Sequence, residues 1–282
     1  MPESRELKNG HALDIGIVDD YNTGPLYLDP QSTVEAMQFS FEISRSHPAM
    51  PGHFPGAPIV PAVVLIEHLV RKLEQATVNS VTNIRQLRLL GPIEPGKRID
   101  VECQEKASDT WRLVCAVAGK PVAKGIFSSQ QLQTGSGRRS VYDQSKYQSA
   151  QVVCEQLPHA GAMQLIKEFA LIENGAQTRA VITDNHPLVD KDGLPAWATL
   201  EYAAQLMACR KLSMGGEPMS RAVIVLVRAL KRYTGESMPV EGELMVEVIE
   251  EVVQPGAVQC AFSSVYGKEV IAAGEFIVVS ES

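Results

Sequence analysis

The sequence predicts an α+β protein built from two copies of one unit, each an antiparallel β-sheet wrapped around a central α-helix. Three observations lead there. Two proline-opened apolar helices, PAVVLIEHLVRKL from Pro61 and PAWATLEYAAQLM from Pro195, share the pattern P-A-x-x-x-x-E. Each is followed by alternating, β-branched segments joined by short turns, the mark of antiparallel strands. Between the two lies SSQQLQTGSGRRSVYDQSKYQSAQ, from Ser128 to Gln151, which carries no apolar period and reads as a connector.

Residues 1–30 are polar, punctuated by Pro and Gly, and read as an N-terminal extension. The first unit, 31–130, opens with the strand-like MQFSFEIS ahead of the helix at Pro61. Proline suits the first turn of a helix because the N–H it lacks would have no partner there. Beyond the helix come IRQLRLL, RIDVECQEK after the turn EPG, WRLVCAV and PVAKGIFSS, making about five strands with the one before the helix. The connector is placed at 131–150. The second unit, 151–282, repeats the order: FALIENGAQTRAVIT as strand, the helix at Pro195, then AVIVLVRALKRY, LMVEVIEEV after VEG, VQCAFSSVY and EVIAAGEFIVV. Both closing hairpins carry Gly-Lys, at Gly119-Lys120 and Gly267-Lys268. Charges are scarce over the first turns of both helices, as expected of a helix enclosed by sheet.

Of 282 residues, 45 % are apolar and 21 % charged, close to the globular average, so a packed core is expected. A net charge of −7 argues against nucleic acid as the partner, since such binders carry a basic excess. The five cysteines (Cys103, Cys115, Cys154, Cys209, Cys260) are odd in number and lack CxxC spacing, which fits reduced thiols better than a disulfide frame or a zinc site. No stretch has the apolar length of a signal peptide or a membrane span. Together these point to a cytoplasmic protein. Nor is there a glycine-rich phosphate loop, metal spacing or serine elbow, so no cofactor is expected.

The densest motif is PGHFPGAPIVPAVVLIE, residues 51–67, which pins one imidazole between glycines and prolines and sets an acid inside an apolar helix. It resembles the signature of 3-hydroxyacyl-acyl carrier protein dehydratases of the hot-dog fold, HFPG-x-P-x-x-P-G followed by an acid on the central helix. His53, Phe54, Pro55, Gly56, Pro58, Pro61 and Glu67 match, and Ala62 stands where the family has glycine. The run FEISRSHPAMPGHFPG is most similar to one of the paired dehydratase subunits of aryl polyene gene clusters. In the second unit, LPHAGAMQLIKEF (157–169) resembles the opening of long-chain dehydratase domains, and GLPAWATLEYAAQLMA resembles the central helix of the other aryl polyene subunit. The HFPG loop is absent there: Pro187 lies fourteen places before Glu201, with His186 beside it. The resemblance runs from about residue 33 to the end and implies a double hot-dog.

It also implies a chemistry. Dehydration needs a base for the C2 proton, an acid for the departing C3 hydroxyl, and a donor for the thioester oxygen. Imidazole titrates near working pH. A carboxyl group serves as acid if burial raises its pKa. A free N–H at a helix N-terminus serves as the donor. In the family the histidine of one unit works with the acid of its partner across a two-fold interface, which a duplicated chain reproduces as an internal pseudo-dimer. His53 is therefore expected to work with Glu201, with Glu67 left in a second site that lacks the histidine. Gly56, Pro61, Ala62, Trp197 and His159 are the expected substrate-binding residues.

Plainer roles compete. A turn histidine such as His53 can cap carbonyls, Glu201 can be a helix acid bonded within an interface, and Trp197 and Tyr202 can be core. His159 and His186 are more often structural, His47 and His68 have no family counterpart, and His11 lies in the polar extension. Arg85, Arg88, Lys97, Arg98, Arg228, Lys231 and Arg232 could attract an acidic carrier protein. The expected partner is acyl carrier protein bearing a 3-hydroxyacyl thioester; further homo-oligomerisation stays open, as does acyl length. Thioester hydrolysis and a non-catalytic scaffold for carrier protein are the alternative functions.

Overall fold

The computed structural model describes residues 36–131, 144–217, 221–235 and 237–281; the expected extension at 1–30, with His11, and most of the connector at 131–150 fall outside them. The first unit starts with β1 (Met37–Glu42), runs through the central helix α1 (Ala62–Thr77), and continues with β2 (Asn83–Leu89), β3 (Arg98–Ala107), β4 (Thr110–Val117) and β5 (Lys120–Ser128). The second has β6 (Gln148–Ser149), a one-turn α2 (Gln151–Cys154), β7 (Glu168–Ile172), β8 (Gly175–Val181), the central helix α3 (Thr199–Ser213), then β9 (Arg221–Arg232), β10 (Glu243–Gln254), β11 (Ala257–Tyr266) and β12 (Glu269–Glu281).

One twelve-stranded antiparallel sheet results, in the order β1-β3-β4-β5-β2-β9-β12-β11-β10-β8-β7-β6. The order shows the duplication. Reading outward from the β2–β9 junction, β5, β4, β3 and β1 on one side match β12, β11, β10 and β8 on the other. The two sheets expected from the sequence are thus continuous, joined where Arg85 faces Ala229 and Leu87 faces Val227. β3 and β4 alternate buried and less buried residues, so each lays one face on the core.

Two local departures from the sequence reading have simple causes. The run 169–183, expected as one strand, is the hairpin β7–β8, because Asn174 takes a positive φ of 55° and Gly175 sits where a Cβ would lie 2.2 Å from the Val248 carbonyl. The turn itself is Glu173-Asn174, and Asn tolerates the left-handed region that it needs. At Pro195 the chain makes a 3-10 turn, Ala196–Ala198, before the α-helix begins.

The two central helices differ in how they meet the sheet. α1 buries Val63, Val64, Leu65, Ile66, Leu69, Val70 and Leu73 and turns its polar C-terminal half outward. α3 is buried on nearly every side, and its buried set includes Glu201 and Gln205. Polar groups in such a place must be hydrogen-bonded or functional. One hydrophobic core runs through both units, from Ile43 to Phe276. All five cysteines are free and buried within it. No helix among the described residues is long and apolar enough to cross a membrane.

Candidate active site

The loop ahead of α1 is held by backbone geometry. Phe54 adopts φ 57° and Gly56 φ 89°, a tight left-handed turn closed by the Ala57 N–H donating to the Phe54 carbonyl at 3.1 Å. A non-glycine residue at positive φ costs energy and tends to persist where function demands the shape. The Val60 N–H donates to the Ile93 carbonyl at 2.8 Å and ties the far end of the loop to the segment after β2. The other side of the loop meets the second unit. His53 and His159 form an antiparallel bridge, and the Ala160 N–H donates to the Gly52 carbonyl at 2.9 Å. Gly52 is required for this approach: a Cβ there would sit 2.2 Å from the Ala160 carbonyl oxygen.

Three side chains converge as a result. His53 and His159 lie with ring centroids 5.3 Å apart, and His159 Nε2 is 3.1 Å from Glu201 Oε1. His53 Nδ1 is 2.8 Å from the Ile59 carbonyl. A carbonyl only accepts, so Nδ1 carries the hydrogen, and the neutral ring keeps its lone pair on Nε2. Burial lowers the pKa of His53, and His159 lowers it further against the opposing pull of Glu201, so the ring is held neutral. Gln205, one turn along α3, donates to Glu201 Oε1 at 3.0 Å and also bridges the Met163 carbonyl and the Leu165 N–H.

The electrostatics of Glu201 differ from the sequence reading. Burial by itself would raise its pKa, but the hydrogen bond and charge of His159, with smaller help from the nearby His53 ring and the Gln205 amide, outweigh it and bring the carboxyl down to about 2. The apolar helix is only part of this acid's environment; the loops opposite decide it.

The three groups line a cavity of about 400 Å³ at the seam of the two units. One wall is the face of α3 that carries Glu201, Ala204, Gln205, Ala208 and Lys211, spaced three and four apart. At 1.5 Å per residue, that face runs for roughly 15 Å from Glu201 to Lys211. Facing it is β9 through Ala222, Val223, Ile224 and Val225, while Leu89–Ile93 lie toward the first unit. Ala62 also lines the cavity; as first residue of α1, its N–H has no acceptor within the helix.

Other residues singled out in the sequence lie elsewhere. Glu67 does not join His53: it bonds Arg71, which also reaches Asp190. Burial raises the Glu67 pKa against the opposing effect of Arg71. Pro61 caps α1 and Gly56 forms the exposed turn, and neither lines the cavity. Trp197 is buried beneath Arg232, whose guanidinium carbon is 5.4 Å from the ring centroid. Arg232 also bonds Glu74 and is mostly buried, so it does not belong with the exposed cations. His186 stacks on Tyr202, with Nε2 2.9 Å from its hydroxyl. Gln205 was missed from the sequence, although a glutamine in so apolar a helix, four places after Glu201, was the available signal.

Among the described residues, His53, His159 and Glu201 also form a cluster of possible metal ligands, with ligand atoms within 4.8 Å of one another. The His159–Glu201 pair, at 3.1 Å, already has about the spacing of two ligands 2.0–2.1 Å from a tetrahedral zinc. As it stands, the arrangement suits proton transfer.

Residues 29–126 match the ApeI-like family (ApeI dehydratase), and residues 151–281 match the ApeP-like family (ApeP dehydratase). A search of curated protein sequences finds no match. Among solved structures, the dehydratase domain of RzxB from Pseudomonas fluorescens aligns with a TM-score of 0.69 at 12% identity, over 86% of this chain and 93% of that one. The dehydratase domain from the CurK module of curacin polyketide synthase aligns with a TM-score of 0.69 at 12% identity, over 90% and 96%. A putative thioesterase from Novosphingobium aromaticivorans aligns with a TM-score of 0.60 at 13% identity, over 87% and 96%. These likenesses fix the double hot-dog fold, and the two family matches fix the reaction class. The chain belongs to the hot-dog dehydratases, with an ApeI-like unit and an ApeP-like unit in tandem.

Proposed function

We propose that this dehydratase acts on 3-hydroxyacyl thioesters carried by acyl carrier protein, producing trans-2-enoyl thioesters for fatty acid or polyene assembly in the cytoplasm. One observation carries the reading: His53 of the first unit and Glu201 of the second line the same seam cavity. His53 Nε2 takes the C2 proton, since Nδ1 is already committed to the Ile59 carbonyl. Glu201 faces the C3 hydroxyl and completes its departure as water. The Ala62 N–H, at the positive end of α1, receives the thioester oxygen as negative charge builds there. The acyl chain lies along the Ala204–Ala208 face of α3, where small side chains leave room beside β9.

Glu67 is held by Arg71 beside Asp190 and Asp192, and among the described residues its charged neighbours are these and Arg232 rather than a histidine, which supports a single working site. The test follows enoyl absorbance and free thiol in parallel on a 3-hydroxyacyl carrier-protein thioester. Enoyl without thiol supports the proposal. Thiol release would replace it with hydrolysis, the activity named for one structural neighbour, and silence from both would refute it in favour of a scaffold.

A further inference from the structure

His159 contributes more to this cavity than packing requires. Its side chain is 10% exposed and Glu201's 5%, so the Nε2–Oε1 contact at 3.1 Å is sheltered from water. Its other ring nitrogen, Nδ1, is buried with no hydrogen-bond partner among the described residues. A residue kept only to fill space would avoid that cost, which an apolar side chain does not incur. The residue is also placed with care: the Gly52–Ala160 bridge fixes its backbone against the HFPG loop, and the Gln164 amide donates to its carbonyl at 3.1 Å. The other charged residues lining the cavity, Lys211 and Glu250, belong to its far end, on the last turns of α3 and on β10.

We propose that His159 is a positioning residue for the acid step, acting through Glu201: it holds Oε1 and shares the proton that the carboxyl passes to the departing hydroxyl. This rests on the dehydratase reading above. The step balances. The C2–H bond breaks and its proton goes to His53 Nε2, the electron pair forms the C2–C3 double bond, and the C3–O bond breaks toward oxygen. The one proton held by the His159–Glu201 pair passes through the carboxyl to that oxygen, which leaves as water. The proton then on His53 returns to the pair, and the enzyme is reset. Oε1 is occupied by His159 and Gln205, which leaves Oε2 for the hydroxyl. The acid of this enzyme is thus a pair contributed by two separate segments of the second unit.

The experiment compares leaving groups. N-acetylcysteamine thioesters of a 3-hydroxyacyl and a 3-chloroacyl chain of equal length are given to the wild type and to His159→Gln, and enoyl formation is followed. Chloride departs without a proton. His159→Gln is expected to lose about 100-fold or more on the hydroxy substrate, the scale of a general-acid contribution, and little on the chloro substrate. His53→Ala should lose both, because each elimination needs the base. Using the ratio of the two rates within one preparation cancels the folded fraction, and His159→Asn provides a second variant. An equal fall on both substrates, or no fall on either, overturns the proposal. If the wild type makes no enoyl from the hydroxy substrate, it is the dehydratase reading that has failed.

Discussion

Replacing Glu201 and Glu67 separately by glutamine tests the division of labour between the units. Glu201→Gln keeps the side-chain volume and leaves an amide near His159 and Gln205, but it removes the carboxyl group that the proposed mechanism requires as the acid. General acid catalysis contributes about 10²–10⁴ in rate, or roughly 3–5 kcal/mol of barrier. The turnover of Glu201→Gln should fall by that factor, with a smaller change in KM. Glu67→Gln loses the charge beside Arg71, yet Arg71 still reaches Asp190, and its side chain is 37% exposed. The cost should be that of a partly solvated ion pair, about 1 kcal/mol or less, which lowers Tm by roughly 2–4 °C in a chain of this size. Turnover should stay within about threefold of wild type, because no reacting group is lost. Steady-state enoyl absorbance and thermal melting on the same preparations measure both effects. A dead Glu67→Gln beside an active Glu201→Gln would refute the cross-unit site.

Three further outcomes follow from named contacts. Gly52→Ala places a methyl group against the Ala160 carbonyl, so it should break the bridge between the two loops, lower Tm, and cut turnover more than substitution at a remote glycine such as Gly119. Ala208→Leu, on the cavity face of α3, should shorten the preferred acyl chain, read as a shift in kcat/KM across a length series with little change for the shortest substrate. Burial lowers the pKa of His186 from 6.5 to about 4. Between those values the unfolded chain binds a proton that the native ring does not, so stability is full above pH 6.5 and declines as pH falls toward 4, by up to about 3 kcal/mol from this residue. The slope of Tm against pH in that window should therefore be shallower in His186→Gln than in wild type.

Much of the framework was legible because it rests on local rules. Proline at Pro61 and Pro195 marks two helix starts, alternation marks the strands, and the spacing in GHFPGAPIVPAVVLIE is dense enough to carry a family resemblance. The hairpin turn at Glu173-Asn174 was legible in principle, since Asn is a turn residue, but the β-prone run around it reads as one strand. Arg232 looked like an exposed cation because strand charges usually are. Its burial under Glu74 and over Trp197 depends on how the second unit packs against α1.

The sequence by itself determined the duplicated architecture and the presence of one histidine loop and two helix acids, since turn residues, periodicity and helix caps act over a few neighbours. Only the tertiary structure decided which groups share a cavity. Pairing of β2 with β9 and the approach of Gly52 to Ala160 bring His53, His159 and Glu201 together, while α1 turns Glu67 toward Arg71. The proton affinity of Glu201 follows the same logic. Its apolar helix favours a neutral acid, and the histidine delivered from a distant loop reverses that preference. Electrostatic energies depend on distance in space, and in this chain the deciding distances join segments far apart in sequence.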